Sequence, residues 1–301
     1  MKVCILGGAG YIGSKLYDYL NYPGHVNYQG HVISSYDLEW YGNYGTPSVV
    51  RDFNDLSAAE LAYYDAVILL AGHSSVQMCD KNRSGTFNNN VRNFVNLLGK
   101  LDKQKFIYAS SSSLYAGQPG QAVEDESSYI PTNYYDLSKK EIDLYAALSG
   151  LDYYGLRFGT VNGLSMNLRD DLMINKMYLT AKETGMINIY NANVRRPILG
   201  INDLCRAVEA ILAGGKNPGI YNVASFNETV YNIALAVAAE TGATIVDKGS
   251  SPTYDFHIST EKFRNTYNFT FTETASSIVK SLAQADGQWT RTSRGSAKPY
   301  A

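Results

Sequence analysis

Tyr135 and Lys139 stand one helical turn apart in TNYYDLSKK, residues 132 to 140, and side chains at that spacing share a helix face. A phenol beside an ammonium can act as an acid/base pair. Tyrosine ionises near pH 10 when unperturbed, so it serves as a base near neutrality only where positive charge draws that value down. Tyr134 has Ser138 at the same spacing and lacks such a partner. Among the 25 tyrosines the spacing recurs at Tyr11–Lys15 and Tyr178–Lys182, so the surroundings must decide.

The surroundings favour Tyr135. The apolar run KFIYASSSSLYAG ends in four serines ahead of it in the chain. In a doubly wound sheet, catalytic groups gather at the carboxyl ends of strands. A serine to orient a carbonyl, a tyrosine to exchange a hydroxyl proton and a lysine to stabilise the phenolate are what hydride transfer at an alcohol carbon requires. Tyr178–Lys182 has no such strand before it and reads as a helix-face pair, while Tyr11–Lys15 falls inside a glycine turn.

That turn supplies the dinucleotide. KVCILGGAGYIGSKLYDYL reads as a buried strand, a glycine-rich turn and a helix, and it contains both GxGxxG (Gly8, Gly10, Gly13) and GxxGxxG (Gly7, Gly10, Gly13). Glycines there permit a tight turn and let backbone amides approach a pyrophosphate at the helix N-terminus, with Tyr11 and Ile12 in the same loop. The second strand, HVISSYD, ends at Asp37, roughly two dozen residues past Gly13, where an acidic side chain binds the ribose hydroxyls of NAD and repels the 2′-phosphate of NADP.

The elements that must position these groups alternate along the first half: KVCILG, HVISSYD, YDAVILLAG, KFIYASSS and YYGLRFG are apolar runs separated by helix-length segments. This is an α/β pattern, a Rossmann-type doubly wound parallel sheet over residues 1–160. Residues 161–301 read as a smaller α+β substrate-binding region with helices in DLMINKMYLTAKET, INDLCRAVEAILAGG and TVYNIALAVAAETG and short extended pieces in MINIY and GIYNVAS; some of its segments are expected to return to the first domain. The last fifteen residues are polar and aperiodic and read as a frayed tail.

Composition narrows the function. A chain of 301 residues with 45% apolar content and net charge −2 can bury a large core, and it lacks the basic blocks of a nucleic-acid binder. Cys4, Cys79 and Cys205 have no metal or redox spacing and read as core thiols of a reducing compartment. MKVCILGG is unlike a signal peptide and no run of 18 apolar residues occurs, so a cytoplasmic protein without membrane or metal is expected.

The segments GGAGYIGS, VVRDFNDL, DAVILLAG, NNNVRNFVNLL, FIYASSSSLYAG, NYYDLSKKEID, LRFG and RRPILGINDLCRAV together resemble the extended short-chain dehydrogenase/reductases, the sugar-nucleotide epimerase/dehydratase family that includes UDP-glucose 4-epimerase. The resemblance implies that Asp52 and Phe53 sit beside the adenine, that Leu70, Ala71, Gly72 and Ser74 line the dinucleotide, and that Asn90 lies close by on a neighbouring helix. It gives Ser111 the carbonyl-orienting place and Tyr135 and Lys139 the acid/base pair beside the cofactor. Ser112, Thr160, Arg196 and His257 take substrate positions, Arg196 on the nucleotide diphosphate. Three positions depart from the family pattern: Thr160 replaces a frequent Asn, Gly200 a His, and Arg51 the Gly before Asp52.

Dehydratases of this family place Asp and Glu directly after the catalytic Thr, where this chain has Ser112 and Ser113. The Glu of decarboxylating relatives is missing too, and Cys79 and His73 do not occupy the positions used for epimerisation beside a ketone in the GDP-fucose synthase type. What the resemblance then implies is an NAD-dependent nucleotide-sugar epimerase acting at carbon 4 through a transient 4-keto sugar. An NAD(P)-dependent reductase of a 4-keto sugar nucleotide and a non-catalytic NAD-binding regulatory protein stay open as alternatives. By analogy the protein is expected to form a homodimer through helices spanning roughly Asn88 to Lys100 and Tyr134 to Ser149.

Overall fold

A computed structural model describes residues 1–22, 30–118, 120–125, 129–286 and 290–292. Its centre is a seven-stranded, wholly parallel sheet in the spatial order Gly219–Val223, Asp152–Phe158, Lys105–Ser111, Ala66–Leu69, Lys2–Leu6, Val32–Asp37, Val49–Val50. The chain reverses its direction of travel across the sheet between Lys2–Leu6 and Ala66–Leu69, and that is where such sheets open a crevice at their carboxyl ends.

The sheet is buried on both faces, which is why its central strands read as continuous apolar runs. Val3, Ile5, Ala66, Ile68 and Ile107 enter one core, shared with helices Tyr11–Asn21 and Ile201–Ala213. Cys4, Leu6, Val67, Leu69, Phe106 and Tyr108 enter the other, with Phe94, Leu97, Ile142 and Ala146 from helices Asn93–Leu98 and Tyr134–Leu148. All three cysteines are free and buried.

Helix Tyr134–Leu148 begins where Asn133 caps it, its side chain accepting the Asp136 amide at 2.9 Å. Its buried stripe, Lys139, Ile142, Asp143 and Ala146, has helical periodicity but includes two ionisable residues. Asp143 is met by Arg157 Nε at 2.9 Å from strand Asp152–Phe158 and by Tyr108 and Ser110 hydroxyls at 3.0 and 3.1 Å from strand Lys105–Ser111. Arg157 also donates to the Tyr115 and Tyr129 hydroxyls and to the Glu124 carbonyl.

GIYNV, from the region some of whose segments are expected to return to the first domain, forms the edge strand beside Asp152–Phe158. Two features differ from the sequence reading. Val49–Val50, too short to show a pattern, adds a seventh strand. Within the expected frayed tail, Thr290–Thr292 pairs in parallel with Asn167–Arg169; the other residues of the tail lie outside the described ones. The rest of the second region is built on a three-stranded sheet, Phe226–Thr229, Arg195–Gly200 and Thr160–Asn162, and the pair Met186–Ile189 with Thr244–Asp247. Tyr178 and Lys182 stand one turn apart on helix Met173–Thr184, Tyr178 buried and Lys182 reaching Asp286 at 3.4 Å.

Removing one member of a buried ion pair strands the other. Asp143→Ala is therefore expected to lower unfolding stability by about 3–5 kcal/mol in urea titrations, with Asp143→Leu/Arg157→Met recovering most of the loss. A single mutant as stable as the parent would refute this weight on the pair.

Candidate active site

The strand Lys2–Leu6 ends in a turn that only glycine accommodates. Gly7 has φ +96°, and a Cβ on it would lie 2.5 Å from the Ala71 amide nitrogen, while one on Gly13 would lie 2.1 Å from the Gly7 carbonyl oxygen. The following helix, Tyr11–Asn21, starts at Gly10 without a side-chain cap, so its first-turn amides keep donors for an anion.

In front of this turn lies an open cleft. Gly7, Gly10, Tyr11, Ile12, Gly13, Asp37, Asp52, Phe53, Leu70, Ala71, Gly72 and Ser74 all border it. Asp37 accepts the Ala9 amide at 3.0 Å and the Glu39 amide at 2.6 Å; burial pushes its carboxyl up, and these amides oppose the rise. Asp52 caps the short helix Phe53–Asp55 through the Asn54 amide at 2.8 Å. Arg51, in place of a glycine, also borders the cleft, while its guanidinium is tied to Glu60 at 2.6 Å.

Asn89 borders the cleft, and Asn90, next to it in the π-helical turn Phe87–Arg92, stands just behind Gly72, whose Cβ would lie 2.9 Å from the Asn90 Oδ1. The Asn90 amide bonds the His73 backbone at 2.8 and 3.0 Å and the Ser138 hydroxyl at 3.1 Å, fastening the loop after Leu69 to helix Tyr134–Leu148. π-turns concentrate at functional sites, but no residue type announces them. Trp40, Tyr41, Asn167 and Arg169 also line the cleft and were missed by the sequence reading. Asn167 donates to the Ala9 carbonyl at 2.9 Å, a contact across 158 positions that no local pattern signals.

The three catalytic candidates converge at the end of Lys105–Ser111. Lys139 is buried and donates to the Ala109 carbonyl at 2.7 Å, with its nitrogen 5.8 Å from the Tyr135 ring centroid. Burial lowers the lysine to about 8. Burial also raises the Tyr135 phenol, and the groups that draw it down are the Ser111 hydroxyl, which hydrogen-bonds to it, and the Arg169 guanidinium. Lys139, expected to be its activator, is not among the principal influences on Tyr135. Ser111 lies 2.8 Å from the Ser113 hydroxyl.

The expected substrate residues lie outside this cleft. Ser112 is buried; Thr160 begins strand Thr160–Asn162. Arg196 donates to the Thr253 hydroxyl at 2.6 Å and to the Tyr254 carbonyl. His257, on the strand pair with Gln121–Ala122, has an Nδ1 without a hydrogen-bond partner and is lowered by burial and by nearby Arg195. Structure explains Gly200, since a Cβ there would lie 2.1 Å from the Glu273 carboxylate, which bonds the Asn202 and Asp203 amides.

The model of the NAD dependent epimerase/dehydratase family matches residues 3–224. The chain belongs to that family. Among its relatives, the epimerase/dehydratase chain is 27% identical over 239 residues to Protein CapI of Staphylococcus aureus, covering 72% of this chain and 71% of that protein. It is 24% identical over 259 residues to a dTDP-glucose 4,6-dehydratase of Streptomyces niveus, covering 78% and 76%. A solved UDP-glucuronic acid 4-epimerase from Bacillus cereus, in complex with UDP-glucuronic acid and NAD, shares the fold with a TM-score of 0.79 at 20% identity, over 93% of this chain and 97% of that one.

The cofactor of this family is NAD, and the cleft fits it. Gly10 meets no atom but the Gly7 carbonyl in the space of a Cβ, which leaves the helix N-terminus open to a pyrophosphate, and the Asp37 carboxylate suits unphosphorylated ribose hydroxyls. Among the described residues no helix is long and apolar enough to cross a membrane.

Lys139 binds its proton more weakly in the folded protein, at about 8, than an ordinary lysine at 10.5. The unfolded chain therefore holds an extra proton between those values, and its burial penalty is complete below pH 8 and fades as pH rises. Lys139→Met should raise unfolding stability at neutral pH by up to about 3 kcal/mol, the gain shrinking toward pH 10.5, as read from denaturant midpoints across pH. Equal stability at neutral pH would contradict the burial penalty.

Proposed function

We propose that this protein is an NAD-dependent nucleotide-sugar epimerase acting at carbon 4 through a transient 4-keto sugar. The observation that carries the reading is a Ser111–Tyr135–Lys139 group with serines, and no carboxylate, at positions 112 and 113. Asp136, the nearest substitute, is buried behind Ser113 with both oxygens bonded, so a water-eliminating acid and base are missing from that wall.

NAD bound in the cleft supplies the acceptor and donor of the carbon-4 hydride. Tyr135 takes the 4-hydroxyl proton and returns it to the product. Ser111 holds the oxygen at carbon 4 while it is a ketone, and Lys139, cationic below about pH 8, adds its charge 5.8 Å from the Tyr135 ring to the nearer pull of Ser111 and Arg169 on the phenolate. Arg196, which donates to Thr253, and His257, on strand His257–Ile258, hold the diphosphate in this reading, with Thr160 and Ser112 beside the sugar. Residues 1–160 carry the cofactor and 161–301 most of the substrate pocket. Free, buried thiols favour a reducing compartment such as the cytoplasm. We also propose a homodimer, because Leu137, Leu144, Tyr145 and Leu148 stand exposed along helix Tyr134–Leu148, an apolar stripe that a second copy would cover.

Incubation with UDP-, GDP-, dTDP- or CDP-hexoses and hexuronates, followed by separation of epimer pairs, tests the reaction. Tyr135→Phe should lower turnover by about 10²–10⁴-fold with NAD binding unchanged; full turnover would sink the assignment. NADH or NADPH oxidation with a 4-keto sugar nucleotide, without epimerisation, would instead favour the reductase. Sedimentation should find Leu144→Glu/Leu148→Glu monomeric beside a dimeric parent, and a monomeric parent would end the dimer proposal.

A further inference from the structure

The segment that follows strand Val32–Asp37 reaches across the cofactor cleft. Trp40 and Tyr41 line that cleft together with Leu70, Ala71, Gly72 and Ser74 of its other wall, and both touch what stands behind that wall. The Trp40 ring meets the His73 ring edge-on, with centroids 5.7 Å apart. The Tyr41 hydroxyl donates to the Met78 sulfur at 3.6 Å. His73 belongs to the loop after Ala66–Leu69, and Met78 to helix Val76–Lys81. In the sheet, Val32–Asp37 and Ala66–Leu69 flank Lys2–Leu6 on its two sides. The two contacts therefore bridge the end of the first strand, where the glycine turn stands.

The loop that carries the two aromatics is stiff in itself. Asn43 accepts the Gly45 and Thr46 amides at 3.2 and 3.0 Å and donates to the Thr46 carbonyl at 2.9 Å and the Glu39 carboxylate at 2.8 Å. Asp37 fixes one end through the Glu39 amide, and the Ser35 and Ser48 hydroxyls, 3.0 Å apart, fix the other. Glu39 holds φ +54°, a left-handed conformation uncommon outside glycine, at the point where the loop leaves the strand. The contacts that fasten the loop to the far wall are of another kind. A ring edge and a thioether attract weakly, and such contacts break and re-form readily. We propose that residues 38–46 are a strap across the cleft, latched by Trp40 on His73 and by Tyr41 on Met78, which must unlatch for a dinucleotide to enter or leave. The inference deepens the epimerase reading and rests on it for its use. An epimerase gives back the hydride it takes, so reduced cofactor lost between the two steps would strand the 4-keto sugar. A reductase exchanges its cofactor at every turnover, and a strap would slow it.

The test reads cofactor passage directly. Fluorescence of bound NADH follows its entry into the full-length protein and its release when excess NAD is added as a chase. Trp40→Ala, Tyr41→Phe and Met78→Ala should each raise the entry and release rates together by about two- to tenfold, with affinity nearly unchanged. Tyr41→Phe leaves the ring in the cleft and removes the latch alone; Trp40→Phe, which keeps a ring edge for His73, should stay close to the parent. A gate slows passage in both directions. A rise in release alone, with weaker affinity, would make Trp40 and Tyr41 ordinary cofactor contacts and overturn the strap, as would rates equal to those of the parent. Epimer formation by the parent with ungated exchange sinks the strap and leaves the proposed reaction. Gated exchange without any epimer formation sinks the reaction and leaves the strap.

Discussion

The buried pairing of Asp143 with Arg157 is the contact on which the candidate site depends. It joins helix Tyr134–Leu148 to two neighbouring strands of the sheet, and Tyr108, Ser110, Tyr115 and Tyr129 complete its hydrogen bonds. Charges taken out of water stabilise a fold only when their remaining donors and acceptors are satisfied, and here they nearly all are. Asp143 lies one turn beyond Lys139 and two beyond Tyr135 on the same helix face. The pair therefore sets the rotation and height of the helix, and with them where the ammonium and the phenol meet the end of the serine strand.

The cofactor side rests on a different constraint, close approach of backbone to backbone. Gly7 and Gly13 allow the turn after the first strand to lie against the loop after Ala66–Leu69 and against its own helix, at the point where the strand order diverges. Asp37 closes one end of the turn through the Ala9 amide, and Asn167 holds the Ala9 carbonyl from the second region. The two constraints meet at Tyr135 and Arg169, where a residue lining the cleft acts electrostatically on the phenol proposed as the acid/base.

What could be read from the sequence was whatever local chemistry dictates. The glycine turn, the acidic end of Val32–Asp37, the serines and the Tyr135–Lys139 spacing each carry their physical reason within a few residues, and the buried strands announce themselves by unbroken apolar runs. What stayed hidden depends on partners remote in the chain. Nothing in EIDLY marks Asp143 as the mate of Arg157, and nothing in SMNLRDD marks Asn167 and Arg169 as cleft residues. The π-turn at Phe87–Arg92 and the place of Asn89 on the cleft wall were not legible either, since residue types alone do not fix a helix register. At Gly200 the departure from the family pattern became intelligible only with Glu273 in the space of a side chain.

The strand Gly219–Val223 covers the flank of Asp152–Phe158, and this has a meaning for the order in which the protein is made. During translation Asp152–Phe158 emerges well before the strand that shields it, and until then its outer row of amides and carbonyls is an open edge that could template pairing with another chain. Arg157 sits on that strand. The nascent chain thus passes through a stage in which its cofactor turn is complete while the strand supporting its catalytic helix is still uncovered, the stage at which protection by a chaperone matters most.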